Sequence, residues 1–286
     1  MWIVSAVLSA VFAGITSILA KCGIKNTPSD IATAIRTIVV LIFAWLMVLI
    51  TGTYTQIPAI SAKTLVFLIL SGLSTGASWL CYFRALQTGD INKVVPVDKS
   101  STILTVILSL IFFSEYNGIF QIIGVSLLAV GTFLMIDKKK GQSNAQAGHR
   151  WLLYAVLSAV FASLTSIFGK IGVSGIDSNL GTAIRTVVVL FMAWIVVFIK
   201  KEQKQVKNIN KKEMLFICLS GLATGCSWLF YFAALQKGKA SVVVPIDKLS
   251  ILITIAFSYI VFKEKLSKKA AVGLVSVTAG TLLMLV

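Results

Sequence analysis

Ionisable and metal-binding residues are scarce in this sequence. Its 286 residues include one histidine and ten acidic residues. The four cysteines show no paired spacing and lie mostly in apolar stretches, which predicts reduced packing residues; they are Cys22, Cys81, Cys218 and Cys226. No glycine-rich loop followed by Lys-Ser or Lys-Thr is present, so ATP-driven pumping is not expected. These shortages predict no metal site, no cofactor and no enzymatic nucleophile–base pair.

Charge is also scarce, and most of it has one sign. Charged residues make up 13% of the chain, against about a quarter in a typical soluble domain, and hydrophobic residues make up 57%. The net charge of +16 comes from lysines and arginines that lie mainly in short segments between apolar runs. That pattern is typical of cytoplasmic loops rather than of a nucleic-acid-binding surface. We therefore predict an all-α integral membrane protein without a nucleic-acid partner.

Ten apolar runs are long enough, at about 20 residues each, to cross a bilayer. The first begins at the N-terminus, which lacks a basic segment and a convincing cleavage site and is interpreted as a retained span. The runs lie at roughly 2–20, 31–50, 64–85, 94–113, 118–136, 151–169, 179–199, 213–235, 243–262 and 270–286.

The two halves of the chain repeat each other at a shift of 149 residues. Ala6–Ala13 and Ala155–Ala162, for example, have the same sequence, and roughly 45% of all aligned positions are identical, which indicates an internal duplication. Because each half has five spans, an odd number, the second half must enter the membrane upside down. The predicted units are repeat one at 1–137, a linker at 138–150 and repeat two at 151–286.

The distribution of basic residues predicts the orientation. Between the spans, 17 lysines and arginines fall on one side of the membrane and 4 on the other. The richer side is expected to be cytoplasmic. This places the linker in the cytoplasm and both termini on the outer side of the plasma (inner) membrane.

A doubled Pro-x-Asp-Lys motif is the first candidate binding site. Asp98 and Lys99 open the fourth apolar run, and Asp247 and Lys248 open the ninth. Charges in a membrane are costly unless they face protein or a wet cavity, so they are functional candidates. Two interpretations stay open here: a substrate site, and a salt bridge that only locks the helix bundle.

Further candidates share helix faces or lie within spans. On helical spacing Thr75, Trp79 and Tyr82 share one face of span three, and their counterparts in span eight do the same. Arg36 and Arg185 either face a cavity or reach to the interface and cap neighbouring helices. Arg84 corresponds to Ala233, so the two gates, one formed by each half of the chain, are expected to differ chemically. The span-eight counterparts are Thr224, Trp228 and Tyr231.

The chain combines ten predicted spans in two repeats with the motif Trp-x-x-Tyr-Phe-x-Ala-Leu before span four and a glutamate at the end of span four. In these features it resembles an EamA-type member of the drug/metabolite transporter superfamily. The resemblance implies alternating access around a central site lined mainly by spans three, four, eight and nine. Spans one and six lack the buried glutamate of the small multidrug-resistance branch. Cation/proton exchange of that type is therefore not expected.

The function expected from this resemblance is secondary transport of a small polar metabolite. Because cations outnumber carboxylates at the candidate site, an anionic or zwitterionic solute is favoured, such as an amino acid or a phosphorylated or carboxylated metabolite. The alternatives are a flippase for a phosphate-bearing, lipid-linked headgroup and an exporter of drugs or amines. Proton coupling and substrate exchange both stay open, as do a monomer and a homodimer.

The orientation can be tested with a cysteine at Lys139, in a background without the four native cysteines. We expect no reaction with a membrane-impermeant thiol reagent added to intact cells, and full reaction after permeabilisation, because the linker is predicted to be cytoplasmic. Reaction in intact cells would contradict the predicted topology.

Overall fold

Helices account for all the regular structure in the described part of the chain. The computed structural model describes residues 1–23, 27–88, 94, 97–116, 118–135, 150–261 and 267–285, and no strand occurs among them. Two short 3₁₀ segments, Thr53–Ala59 and Gln203–Asn208, join longer helices. The helices are α1 (Trp2–Gly23), α2 (Ser29–Ile50), α3 (Ala62–Thr88), α4 (Ser101–Phe113), α5 (Ile119–Leu134), α6 (Arg150–Val173), α7 (Ser178–Ile199), α8 (Lys211–Lys237), α9 (Ala240–Lys248), α10 (Ser250–Val261) and α11 (Lys268–Leu283).

Seven helical segments among these residues are long and apolar enough to span a membrane. Six lie in α1, α2, α3, α6, α7 and α8, and the seventh, Ala240–Phe257, combines α9 with most of α10. Helices α4, α5 and α11 occupy the positions of the fourth, fifth and tenth expected spans, but they have only 13, 16 and 16 residues. A multi-pass helical membrane protein is therefore confirmed, whereas the count of ten spans stays a prediction.

The helix boundaries recur along the chain. Helices α2 and α7 both have 22 residues, and α3 and α8 both have 27. The starting residues of these pairs, and of α5 and α11, are all separated by 149 positions. The linker predicted at 138–150 lies outside the described residues except for Arg150, where α6 begins.

Helices from the first half pack mainly on helices from the second half. The most extensive pairs are α3 with α6, α1 with α8, α5 with α11 and α2 with α7. Small residues lie at these crossings, because helices in lipid gain stability from close packing and not from excluding water. The apolar core is consequently shared between the halves, and the residues described here form no separate core within the first half.

Glycines permit the closest of these approaches. A Cβ atom added to Gly72 would lie 2.9 Å from the Arg185 carbonyl oxygen, and one added to Gly221 would lie 3.0 Å from that of Arg36. Between α5 and α11, a Cβ at Gly131 would lie 2.6 Å from the Gly273 carbonyl oxygen. A backbone atom cannot turn aside as a flexible side chain can, so these positions require glycine.

Replacing Gly131 with alanine tests the α5–α11 crossing. We expect Gly131→Ala to lower the free energy of unfolding by about 1–3 kcal/mol, the usual cost of overpacking. The measurement is the melting temperature of the purified protein in detergent. Val130→Ala is the matched control, because Val130 is 54% exposed on the same helix; equal effects of the two changes would contradict the proposed crossing.

Candidate functional site

The second Pro-x-Asp-Lys motif lies where a membrane helix is interrupted. Pro245 is inside α9, which ends at Lys248, and α10 begins two residues later. Proline has no backbone N–H and disturbs the helix around it, which leaves backbone groups at the break for other partners. In the first motif Pro96 lies outside the described residues, but Val97–Lys99 are helical, Ser100 forms a turn and α4 follows. Both Asp-Lys pairs therefore lie at the start of a new helix.

Lys99 and Lys248 line the same cavity, which has a volume of about 360 Å³. Both side chains are exposed, and their ammonium groups are close enough to repel each other. Hydroxyl groups form much of the remaining polar wall; they belong to Ser17, Thr102, Thr132, Ser250 and Thr254. The apolar wall consists of Leu128, Met135, Ile251 and Val277. The cavity thus combines two cations with several hydroxyl groups.

Asp247 is bound to the opposite half of the chain. The hydroxyl group of Ser9, in α1, donates to Asp247 Oδ1 at 2.6 Å. Ser9 also lies 3.3 Å from the hydroxyl oxygen of Ser227 in α8, and Ser227 donates to the Ser9 carbonyl oxygen at 3.1 Å. This network ties α1, α8 and α9 together at the helix break.

Asp98 has the equivalent environment in the other half. Ser158, in α6, donates to Asp98 Oδ1 at 2.7 Å and lies 3.3 Å from the hydroxyl oxygen of Ser78 in α3. Ser78 donates in turn to the Ser158 carbonyl oxygen at 3.1 Å. Each aspartate is thus held by a serine that comes from the other half of the chain.

The aspartates therefore do not form the salt bridges that the sequence suggested. Among the described residues, neither Lys99 nor Lys248 lies within 4 Å of a carboxylate; the ion pairs found there join Lys170 to Glu115 and Lys200 to Asp30. A serine hydroxyl is a good donor to a carboxylate, and it leaves the neighbouring lysine directed into the cavity. No carboxylate of the described ranges consequently cancels the positive charge of the cavity through a direct ion pair.

Arg185 is buried within the helix bundle and does not reach to the membrane interface. Its side chain is 1% exposed, and its guanidinium carbon lies 4.9 Å from the centre of the Trp228 ring and 4.4 Å from that of Phe232. Nε donates to Ser71 and Nη2 to Thr75, at 3.2 and 2.9 Å, while Nη1 has no hydrogen-bond partner within the described part of the chain. Cation–π contacts and hydroxyl acceptors thus stabilise this charge.

Arg36, the counterpart of Arg185, has a different environment. It is half-buried, and its Nη2 donates to Thr33 of the same helix at 3.0 Å. Thr224, the equivalent of Thr75, donates to Thr16 in α1 at 3.3 Å, just as Thr75 lies 3.3 Å from Thr165 in α6. Thr75 also accepts from Arg185, whereas no bond between Thr224 and Arg36 is found among the described residues. The two repeats have related sequences but form different contacts at this position.

The remaining aromatic candidates are not among the described residues that line the lysine cavity. The hydroxyl oxygens of Tyr231 and Ser166 in α6 are 2.8 Å apart, so this side chain joins α8 to α6. Trp79 packs against the buried cluster around Ile31. Tyr82 packs against the cluster of Ala85, Val94 and Ala155. Residues of α3 and α8 are absent from the described lining of the lysine cavity, because the polar faces of these two helices turn towards α6 and α1.

Arg84 lines a second cavity, of about 370 Å³, which it shares with Lys200. This cavity lies between α3, α6 and α7 and has none of its described lining residues in common with the lysine cavity. The other residues on its wall are Leu80, Cys81, Tyr154, Val196 and Ile199. The structure therefore separates Arg84 from the Asp-Lys motifs.

Two groups of contacts were not predicted from the sequence. The first is the set of serine–aspartate bonds, although Ser9, Ser158, Ser78 and Ser227 all stand in repeated motifs that could have indicated them. The second surrounds the buried Glu115, which accepts from the backbone N–H of Ser241 at 2.9 Å and from Lys170. The same Lys170 donates to the Gly238 carbonyl oxygen at 2.6 Å, so α4, α6 and the α8–α9 turn meet there.

A helical membrane bundle around a cationic, hydroxyl-lined cavity is the architecture of a small-molecule transporter. The sequence profile of the EamA-like transporter family matches residues 1–137 and again 149–286. The chain belongs to this family, which is part of the drug/metabolite transporter superfamily, and it is a multi-pass membrane transporter.

Two curated proteins and several solved structures resemble the chain. An uncharacterized transporter of a Sinorhizobium species is 42% identical over 134 residues, which are 47% of this chain and 95% of that protein. An uncharacterized protein of Methanocaldococcus jannaschii is 27% identical over 133 residues, 46% of this chain and 94% of its own length. Both relatives are thus about as long as one half of this chain. A crystal structure shares the fold with a TM-score of 0.74 and 14% identity, covering 98% of this chain and 96% of its own.

The serine–aspartate bonds can be tested by removing one hydroxyl group. Ser158→Ala leaves Asp98 Oδ1 without its described donor, and we expect a loss of about 1–2 kcal/mol in the free energy of unfolding. Ser9→Ala should have a similar effect at Asp247. Ser126→Ala is the control in the same melting experiment, because that hydroxyl group only donates to Ile122 of its own helix. Equal melting temperatures for Ser158→Ala and Ser126→Ala would contradict a role for the bond.

Proposed function

We propose that this protein is a secondary transporter for a small solute that carries an anionic group. The observation that supports this function is the pair of exposed lysines, Lys99 and Lys248, in one cavity of about 360 Å³. Two ammonium groups held close together repel each other, and an anion placed between them removes that repulsion. A carboxylate or phosphate group therefore gains more from this cavity than a neutral or cationic group does.

The rest of the cavity wall fits a small polar metabolite. Its volume lies within the usual range for ligand pockets, about 300–1,000 Å³. The hydroxyl groups of Thr102 and Thr254 on facing helices can donate to or accept from hydroxyl, amide and carboxylate groups. A zwitterionic amino acid and a phosphorylated or carboxylated metabolite both match this combination, and we propose that the substrate is of this class.

The transport mechanism that we propose is alternating access between two inverted five-helix repeats. Three observations support it: helix boundaries recur at 149 residues, the family profile matches each half separately, and relatives the length of one half exist. The helices of each half pack mainly on the other half, so a movement of one half changes the surroundings of both motifs. Transporters commonly place substrate sites at broken helices between such repeats.

In this mechanism the aspartates position the lysines and do not bind substrate. Asp98 and Asp247 anchor the two helix breaks to α6 and α1 through Ser158 and Ser9. We propose that Lys99 and Lys248 contact the substrate.

A flippase for a phosphate-bearing, lipid-linked headgroup is the second candidate. The apolar wall formed by Leu128, Met135 and Val277 is the observation that favours it, because a lipid chain needs an apolar path beside the headgroup. Proteoliposomes distinguish the two functions: uptake of labelled solutes supports the transporter, and scrambling of labelled lipid supports the flippase. An exporter of drugs or amines is less compatible with two exposed cations in the cavity.

The substrate class can be tested by thermal stabilisation, because a ligand that binds the native state raises its melting temperature. In a panel of carboxylated, phosphorylated and amine metabolites, we expect anionic or zwitterionic compounds to stabilise the protein. For the best ligand, Lys99→Gln or Lys248→Gln should raise the dissociation constant at least about tenfold, which corresponds to about 1.4 kcal/mol. Lys268→Gln, an exposed lysine outside the cavity, is the control. Stabilisation by amines alone would contradict the proposal.

A double variant separates substrate binding from a structural role. If Asp98 and Lys99 matter only as a balanced charge pair, Asp98→Asn/Lys99→Gln should be both stable and active. We expect it to be folded but inactive, since the cation that contacts the substrate is gone. Melting temperature and uptake into proteoliposomes are the two measurements. Full transport by the double variant would exclude Lys99 from the binding site.

A further inference from the structure

We propose that the groove between α3, α6 and α7 binds the headgroup of an anionic phospholipid. This groove is the cavity of about 370 Å³ that contains Arg84 and Lys200, and it is separate from the lysine cavity of the proposed substrate site. The proposal concerns a lipid that stays bound at the surface of the protein, not the transported solute.

The chemistry of the groove matches the two parts of such a lipid. Leu80, Val196 and Ile199 form an apolar wall suited to acyl chains. Arg84 and Lys200 supply two cations, and the planar guanidinium group of arginine is well suited to bind phosphate through two N–H donors. The ring of Tyr154 adds an amphipathic surface of the kind found at membrane interfaces.

The groove lies near the end of the helices and at the surface of the bundle. Lys200 directly follows the last residue of α7, and Arg84 lies four residues, or about 6 Å, before the end of α3. Ile199 is 65% exposed, so this side of the groove faces the surroundings of the bundle. That position corresponds to the depth of lipid headgroups, where Lys and Arg side chains bind anionic lipids.

Neighbouring acidic groups fix one of the cations. Lys200 forms an ion pair with the buried Asp30 of α2, and the lysine side chain stays 26% exposed. Glu202 follows in the chain, and burial together with the nearby Asp30 raises the pKa of its carboxyl group. Arg84 lies on a different helix and is exposed. The phosphate is therefore expected to contact both Arg84 and Lys200, from two different helices.

The region of the other half that corresponds to this groove lacks both of these cations. At the shift of 149 residues, Arg84 corresponds to Ala233 and Lys200 to Thr51, while Cys81 corresponds to Phe230. In the inverted arrangement proposed above, that region lies at the opposite membrane surface. The apolar walls recur and the charges do not, which is the difference expected if only one leaflet supplies an anionic lipid.

Cys81 provides a reporter inside the groove. In a variant whose other cysteines are alanine, we measure the rate at which N-ethylmaleimide alkylates Cys81 in detergent. Dioctanoyl phosphatidylglycerol should slow the reaction at least about fivefold relative to dioctanoyl phosphatidylcholine, a step of about 1 kcal/mol, because the choline cation of phosphatidylcholine offsets the phosphate charge and is repelled by Arg84 and Lys200. Arg84→Gln and Lys200→Gln should each reduce this difference, and Arg84→Lys should retain part of it.

Two controls decide how the result is interpreted. A cysteine that replaces Phe230, at the position without neighbouring cations, should be alkylated at the same rate in both lipids. If phosphatidylglycerol protects this cysteine as strongly as it protects Cys81, the protection comes from the charge of the micelle, and the proposal is overturned. Protection by glycerol 3-phosphate equal to that by the lipid would show a soluble anion instead, and would also overturn it. If the Arg84→Gln variant keeps the full difference in alkylation rate between the two lipids, the proposed contact with Arg84 is contradicted. None of these readouts depends on transport, so they fail independently of the proposed function.

Discussion

The hydrogen bond between a serine of one half and an aspartate of the other is the interaction on which the site depends. A carboxylate inside a membrane protein must be compensated, and a lysine next to it in sequence would be the simplest partner. Here Ser9 and Ser158 take that role for Asp247 and Asp98. The neighbouring lysines consequently remain exposed in the cavity, and the two halves are joined at the points where their helices break.

The scaffold is close to symmetric, while the charges on it are not. Arg185 is enclosed by Trp228 and Phe232, whereas Arg36 binds only a threonine of its own helix among the described residues. Two copies of one sequence can differ in this way because each copy packs against the other and not against itself. The proposed alternating-access mechanism is compatible with such a difference, since the two sides of a transporter are not open at the same time.

The sequence predicted much of the fold but less of the site. Helices α2, α3, α7 and α8 begin and end near the predicted apolar runs, and Lys99 and Lys248 were candidates from their repeated motif. Tyr82 and Tyr231 were predicted beside them and do pack against apolar residues of the two motifs, while Trp79 packs against α2, and none of the three is among the described residues that line the lysine cavity. Helical spacing shows which residues share a face, but it does not show which neighbour that face meets.

Hydropathy, charge and repetition are properties of the chain itself, so the sequence alone determined the helical membrane class, the family resemblance and the 149-residue correspondence. Only the tertiary structure decided the partners of the charged groups. Ser9 and Asp247 are 238 positions apart, and Ser158 and Asp98 are 60 apart. A hydrogen bond requires atoms within about 3 Å, and no local pattern fixes which of many buried hydroxyl groups comes that close. Tertiary packing also separates Arg84 from the lysines, because the packing of α3 between α6 and α7 places Arg84 in a groove of its own.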